Sequence, residues 1–204
     1  MPFKISDVVA AGALARQEQP TLPVPGGLNI RPWSPDDAPA VYEAFQDPVI
    51  QRWHAREADS VDETRGWIDG WRGAWSEERD AHWAIADAGT DEVVGRISLR
   101  LIVLGDGQAE VAYWTMPKAR GRGIAPRALT ALSDWAFDEV GLHRLELTHA
   151  TGNEASCRVA LKTGFAPEGT KRSAVLHADG WHDMHLHARV SARVRVRGDE
   201  STRS

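Results

Sequence analysis

The sequence predicts a mixed α+β domain in which a central, mostly antiparallel sheet is flanked by helices. The hydrophobic period switches from helical to two near residue 81 and back to helical near residue 124. The three period-two segments in between are joined by short turns, as in an antiparallel meander. The composition, 42% hydrophobic and 26% charged over 204 residues, fits one packed domain and excludes a disordered or disulfide-stapled chain.

In chain order, Ser6 is placed to cap a short helix ending at Ala15. QEQPTLPVPGG (17–27), with three prolines and two glycines, reads as a linker. The expected organisation is an N-terminal extension over 1–27, a folded domain over 28–192 and a polar tail over 193–204. LNIRPW (28–33) reads as the domain's first strand. Ser34 with Asp37 has the form of a capping box, and Ala40, Val41, Ala44 and Phe45 follow at helical spacing up to Asp47-Pro48. Ser60 with Glu63 repeats the device, and Trp67, Trp71 and Trp75 fall on one face of the next helix. That stripe is read as core or groove packing.

HWAIAD, VVGRISLRLIV and AEVAYWTM (109–116) form the meander, the last two joined through the Asp-Gly of LGDGQ. Pro117 ends it. A helix over 124–137, a strand over 143–150 and a helix from Asn153 to Lys162 follow, and FAPEGTKRSAV and HDMHLHARV read as closing strands.

Lys plus Arg total 24 against 29 Asp plus Glu, a net charge of −5, which argues against nucleic acid as a partner. No apolar run approaches the roughly 20 residues of a spanning helix, and no secretory leader is evident. The expectation is a cytoplasmic protein without a membrane partner. The lone Cys157 has no intrachain disulfide partner.

The chemistry concentrates in PKARGRGIAPR (117–127), between the end of a strand and the start of a helix. Gly121 and Gly123 free the backbone to converge several N–H groups on one anion at a helix N-terminus, and Arg120, Arg122 and Arg127 add charge suited to a diphosphate. Gly123 is followed by Ile124-Ala125 rather than Lys-Ser or Lys-Thr, and the turn follows an antiparallel strand. Neither a Walker loop nor a dinucleotide fingerprint is present.

This loop resembles the acetyl-CoA loop of the GCN5-related N-acetyltransferase (GNAT) superfamily: Arg or Gln, two residues, Gly, one residue, Gly or Ala. Arg120, Gly123 and Ala125 match it. EVAYWTMPKARGRGIAPRAL, GLHRLEL and NEASCRVALKTGF followed by EG are similar to the RimJ/RimL-like branch that acetylates ribosomal-protein N-termini, over residues 28 to about 190. The resemblance implies the GNAT fold, with the domain's fourth strand (109–116) splayed from its fifth (143–150). It implies a pantetheine arm in that gap, lined by Trp114, Thr115, Met116 and Asn153, and a pyrophosphate on the amides of Arg120, Gly121, Arg122, Gly123, Ile124 and Ala125. A backbone N–H near Trp114 or Thr115 is the implied oxyanion donor. The implied activity is direct acetyl transfer from acetyl-CoA to a primary amine, a protein N-terminal α-amine among the candidates, with no metal.

Glu110, opening the fourth strand where many relatives carry an acid, is the expected general base, with His82 and His177 as alternatives. Many relatives protonate the leaving thiolate with a tyrosine at the position of Ala160; here Ser156 is the candidate donor, as the resemblance to the closer branch implies. The missing tyrosine and the choice of bases leave open a catalytically weak acyl-CoA sensor or interaction module. Cys157 lacks an evident base and is read as inert, and His182, His185 and His187 as packed or exposed rather than metal-bound. Acidic clusters at Asp36-Asp37, Asp59–Glu63 and Glu77–Asp80 suggest a cationic acceptor, with solvated helix ends as the competing reading. A monomer and a homodimer are both compatible with the sequence.

Overall fold

Alternating burial along the meander places its apolar side chains between two helical layers. A computed structural model describes residues 6–192. Eight strands form one sheet: β1 (Leu22–Val24), β2 (Leu28–Pro32), β3 (Ala81–Asp87), β4 (Val93–Val103), β5 (Gln108–Thr115), β6 (Arg144–Ala150), β7 (Ala166–His177) and β8 (Gly180–Val190). Their spatial order is β1-β2-β3-β4-β5-β6-β8-β7, and every pairing is antiparallel except β5 with β6. The helices are α1 (Ala38–Ala44), α2 (Pro48–His54), α3 (Val61–Ser76), α4 (Ile124–Trp135) and α5 (Glu154–Lys162). The mixed α+β expectation holds. The tail expected from residue 193 lies outside the described residues.

Aromatic contacts show how the layers seat. The Trp71 ring of α3 lies 5.7 Å from His82 of β3, while Trp83, the next residue along that strand, meets Trp135 of α4 at 5.5 Å on the opposite face. Of the tryptophan stripe, Trp75 is core, its indole N–H donating to the Gln17 carbonyl at 2.8 Å. Trp67 and Trp71 are partly buried and line a groove.

The N-terminal segment departs from expectation. Residues 11–16 form turns rather than a helix, because Gly12 takes φ +84° and the Glu78 carboxylate accepts the N–H groups of Gly12, Leu14 and Ala15 at 2.6, 2.7 and 3.1 Å. Val9 and Leu14 are buried in the core, and the expected linker contributes β1 to the sheet. The described part of the expected extension thus packs on the domain through Val9, Leu14 and β1. The short helix α2 was not foreseen either: Pro48 occupies its first turn, where it is compatible with a helix, and Asp47 caps it by accepting the Ile50 N–H at 2.9 Å.

The site is made by one failure of pairing. β5 and β6 pair from Gln108↔Arg144 to Val111↔Leu147 and no further. Beyond that point β5 stays with β4 up to Gly95↔Thr115, while β6 stays with β8 through Thr148↔Leu186, His149↔His185 and Ala150↔Met184. The splay expected between the domain's fourth and fifth strands is therefore present. Gly95 allows the close approach at its end, since a Cβ there would lie 2.6 Å from the Trp114 carbonyl oxygen.

Candidate active site

Two cavities of about 430 and 410 Å3 flank the splay and share Trp53, His54, Tyr113, Asn153 and Ser156. Trp114, Thr115, Arg120, Gly121, Gly123, Ile124 and Ala125 line the first, so the predicted loop, Asn153 and Ser156 converge on one space. Glu110 lines the second cavity, with Arg100, Lys171, His149 and His177.

The loop has the geometry of an anion site. Gly121 and Gly123 take φ of +75° and +69°, Gly123 is the N-cap of α4, and a Cβ on either would meet no protein atom within 4 Å. Among the described residues, no partner is recorded for the N–H groups of Gly121, Arg122, Gly123, Ile124 and Ala125, whereas that of Arg120 is bonded to the Pro117 carbonyl at 3.3 Å. These donors, at the positive end of a helix, suit a pyrophosphate.

The three arginines divide their work. Arg120 is ion-paired with Asp47 at 2.6 Å. Arg127 is committed to the backbone, donating to the carbonyls of Pro25, Gly123 and Arg122 at 2.6, 3.1 and 3.2 Å. Arg122 lines a separate cavity beside Pro25 and Lys162. Charge near the anion site is thus lower than the sequence suggested. The backbone carries more of the task.

Strand alternation sorts the oxyanion candidates. The Met116 N–H donates to the Val94 carbonyl at 2.9 Å, and the Trp114 carbonyl also faces β4. The Tyr113 and Thr115 amides, out of phase with these, point into the splay. Trp114 therefore lines the cavity but turns its amide away from it, while Met116 is fully buried and contributes no cavity surface.

Asn153 caps α5, its Oδ1 accepting the Ser156 N–H at 3.1 Å. Ser156 borders both cavities and faces Tyr113. The buried Tyr113 phenol has no hydrogen-bond partner of good geometry among the described residues, and burial pushes its pKa up to about 12, partly offset by Ser156. A neutral phenol beside the gap is a proton donor the sequence reading missed. The Glu110 carboxyl is raised by burial, against the pull of Arg100 and Lys171.

His54 was missed as well. It sits where both cavities and the tryptophan groove meet, and burial, reinforced by Arg96 and Arg100, lowers it to about 4, so it is neutral at physiological pH. His82 is a poor base: its Nδ1 accepts from Arg96 at 2.8 Å, and burial with the nearby arginines drops it to about 2. His177 lines the second cavity and stacks on His182 at 4.5 Å.

The acidic clusters are largely engaged within the protein. Asp37 pairs with Arg31, Glu63 accepts the Asp59 N–H, and Glu78 holds the N-terminal turns. The tryptophan groove is instead lined by Arg56, Arg79, Arg96 and Arg100 against a single acid, Asp80. Arg96 is partly buried, its guanidinium 4.4 Å from the Trp71 ring centroid and its Nε without a partner among the described residues.

The sequence model of the acetyltransferase (GNAT) domain matches residues 27–166, well over half the chain. The chain belongs to the GNAT family. This GNAT protein is 26% identical over 167 residues to the uncharacterized N-acetyltransferase YoaA of Bacillus subtilis, covering 81% of this chain and 94% of YoaA. It is 34% identical over 100 residues to the ribosomal-protein-serine acetyltransferase of Escherichia coli, 49% of this chain and 56% of that protein. Its fold matches Mycobacterium smegmatis RimJ in complex with CoA-disulfide with a TM-score of 0.75 at 26% identity, covering 86% and 88% of the two chains. It is an acetyltransferase of mixed α/β architecture, and none of its described helices is long and apolar enough to cross a membrane.

Proposed function

We infer that the protein transfers an acetyl group from acetyl-CoA directly to a primary amine, a peptide N-terminal α-amine being the acceptor class that fits best. The observation carrying this reading is that the two cavities meet at Tyr113, Asn153 and Ser156, with a cluster of unpartnered amides lining one and the half-buried Glu110 carboxyl lining the other. Acetyl-CoA supplies an activated acyl group; residues 121–125 hold its diphosphate and Asn153 its pantetheine arm.

Chemistry at the junction follows from the side chains. An α-amine, with a pKa of about 7.7–8.0, sheds its proton far more easily than a lysine at about 10.4, and Glu110 takes that proton directly or through water. The new N–C bond forms as the C–S bond breaks. Amides of Thr115 and Tyr113 stabilise negative charge on the carbonyl oxygen. Ser156, backed by the Tyr113 phenol, returns a proton to the departing thiolate.

The arginine-lined groove favours an acceptor with a carboxylate near its amine, in place of the cationic acceptor the acidic clusters suggested. The binding-only alternative rested on the unassigned base and on the tyrosine missing at Ala160 of α5, and Tyr113 of β5 brings a phenol to the same gap. Peptides with free or blocked N-termini, acidic or basic at their second to fourth residues, test both points by mass spectrometry. Acetylation of free N-termini, faster for acidic peptides, is expected. No acetylation of any primary amine by protein that binds acetyl-CoA would leave the binding-only reading.

A further inference from the structure

Outside the transfer chemistry, one cluster of side chains has an arrangement that hydrogen bonding leaves unexplained. His149 on β6 lies directly opposite His185 on β8, with His187 two residues along the same face of β8. Cys157, in the first turns of α5, completes the group: one ligand atom from each of the four residues lies within 4.8 Å of all the others. His149 and His187 are buried, at 5% and 2% exposure.

The two buried rings fix their own tautomers. Nδ1 of His149 contacts the Ala150 carbonyl at 2.9 Å, and Nδ1 of His187 contacts the Phe165 carbonyl at 3.3 Å. A carbonyl only accepts, so both Nδ1 atoms carry hydrogen. Both Nε2 atoms then present lone pairs, and they face each other at 3.2 Å. Two acceptors at that distance repel unless a cation lies between them.

We propose that His149, His185, His187 and Cys157 bind one zinc ion in a closed, four-coordinate site that pins α5 to β6 and β8. With Zn–N of about 2.0–2.1 Å and Zn–S of about 2.3 Å, a tetrahedron separates neighbouring ligand atoms by roughly 3.3–3.6 Å. The Nε2 pair is already at that spacing, and because no two of the four ligand atoms are more than 4.8 Å apart, the others need to draw in by no more than about 1 Å. A backbone carbonyl on the remaining nitrogen of each buried ring is the usual outer support of a zinc-bound histidine. Cys157 loses its proton to solvent on binding and coordinates as thiolate. With all four positions supplied by protein the ion is structural, and it secures the helix turn that carries Asn153 and Ser156. Histidine spacing on β8 was visible in the sequence. The strand and helix that complete the set were not.

The test uses the full chain with any purification tag removed. After treatment with chelator, cobalt(II) is titrated in and the absorption spectrum recorded, then zinc is added. One cobalt per chain is expected, with a sulfur-to-cobalt charge-transfer band and the intense visible bands of tetrahedral coordination, both lost as zinc displaces it. Cys157→Ser should abolish the charge-transfer band, and His185→Gln should weaken cobalt binding at least about 100-fold. Zinc should raise the melting temperature of the wild type and not that of Cys157→Ser. A folded chain that takes up no cobalt would overturn the proposal, as would cobalt bound without the sulfur band and unaffected by Cys157→Ser, for instance at His177, Asp179 and His182.

Discussion

The Asp47 carboxylate meets the Arg120 guanidinium at 2.6 Å while also accepting the Ile50 N–H, so one side chain joins the anion-binding loop to the helix that roofs the site. Despite partial burial, which opposes ionisation, Arg120 and the α2 backbone hold the Asp47 carboxyl below its ordinary range.

Asp47→Ala should therefore loosen α2 and the loop together. The loss in stability should be about 1 kcal/mol, a modest figure because Arg120 is 37% exposed. Acetyl-CoA should bind several-fold more weakly, as calorimetry would show. Unchanged affinity would mean that the pair does not shape the loop.

Glu78 is the corresponding anchor for the N-terminal turns. Burial opposes its ionisation, but the N–H groups of Gly12, Ala15 and Leu14 hold its pKa below the ordinary value. A depressed folded pKa means that its stabilisation is complete above the unfolded carboxylate pKa and is lost as pH falls through the folded one. Glu78→Gln should lower the melting temperature by roughly 2–6 °C at neutral pH. The difference from wild type should shrink in acid. A constant difference across pH would exclude the carboxylate as its cause.

Glu110 works in the opposite sense. Burial raises its pKa, so the acid limb of kcat/KM should lie above the ordinary carboxylate range, with activity lost as Glu110 is protonated. Glu110→Gln should cost about 100-fold in kcat/KM and remove that limb. A limb that survives the substitution would move the role of base to another group, His54 being the nearest alternative on position.

Ser156 and Tyr113 are expected to act as one unit. Ser156→Ala and Tyr113→Phe should each lower kcat by about 10- to 100-fold, with little change in acetyl-CoA affinity. The double variant should be no worse than about the poorer single one. Multiplicative losses would show independent roles.

Much of the fold was legible because its signals are local. Period-two runs, the Ser34 and Ser60 caps and the Pro117 strand end each report on a few adjacent residues, and the glycine loop carries its own chemistry in its spelling. The misreadings have local causes too. Pro48 reads as a stop yet begins α2, and PVIQRWH buries only Ile50, too little for an amphipathic signal. The alanine-rich N-terminus resembles a helix, but the partner that turns it, Glu78, is more than 60 residues away. Tyr113, His54 and the Arg96 groove were invisible for a deeper reason: their importance depends on where β5 leaves β6, a long-range property that no window of sequence displays.

The central claim is that residues 121–125 bind acetyl-CoA through their backbone amides. Isothermal titration of the wild type and of Gly123→Ala with acetyl-CoA, with ATP and NADH as controls, tests it most directly. At φ +69° an alanine is strained by about 1–2 kcal/mol, and relieving that strain would shift the loop donors. The account predicts saturable one-site binding to the wild type, none of the controls matching it, and at least 10-fold weaker binding by a variant that remains folded. No binding of acetyl-CoA by the folded wild type, or equal binding by the variant, would contradict it.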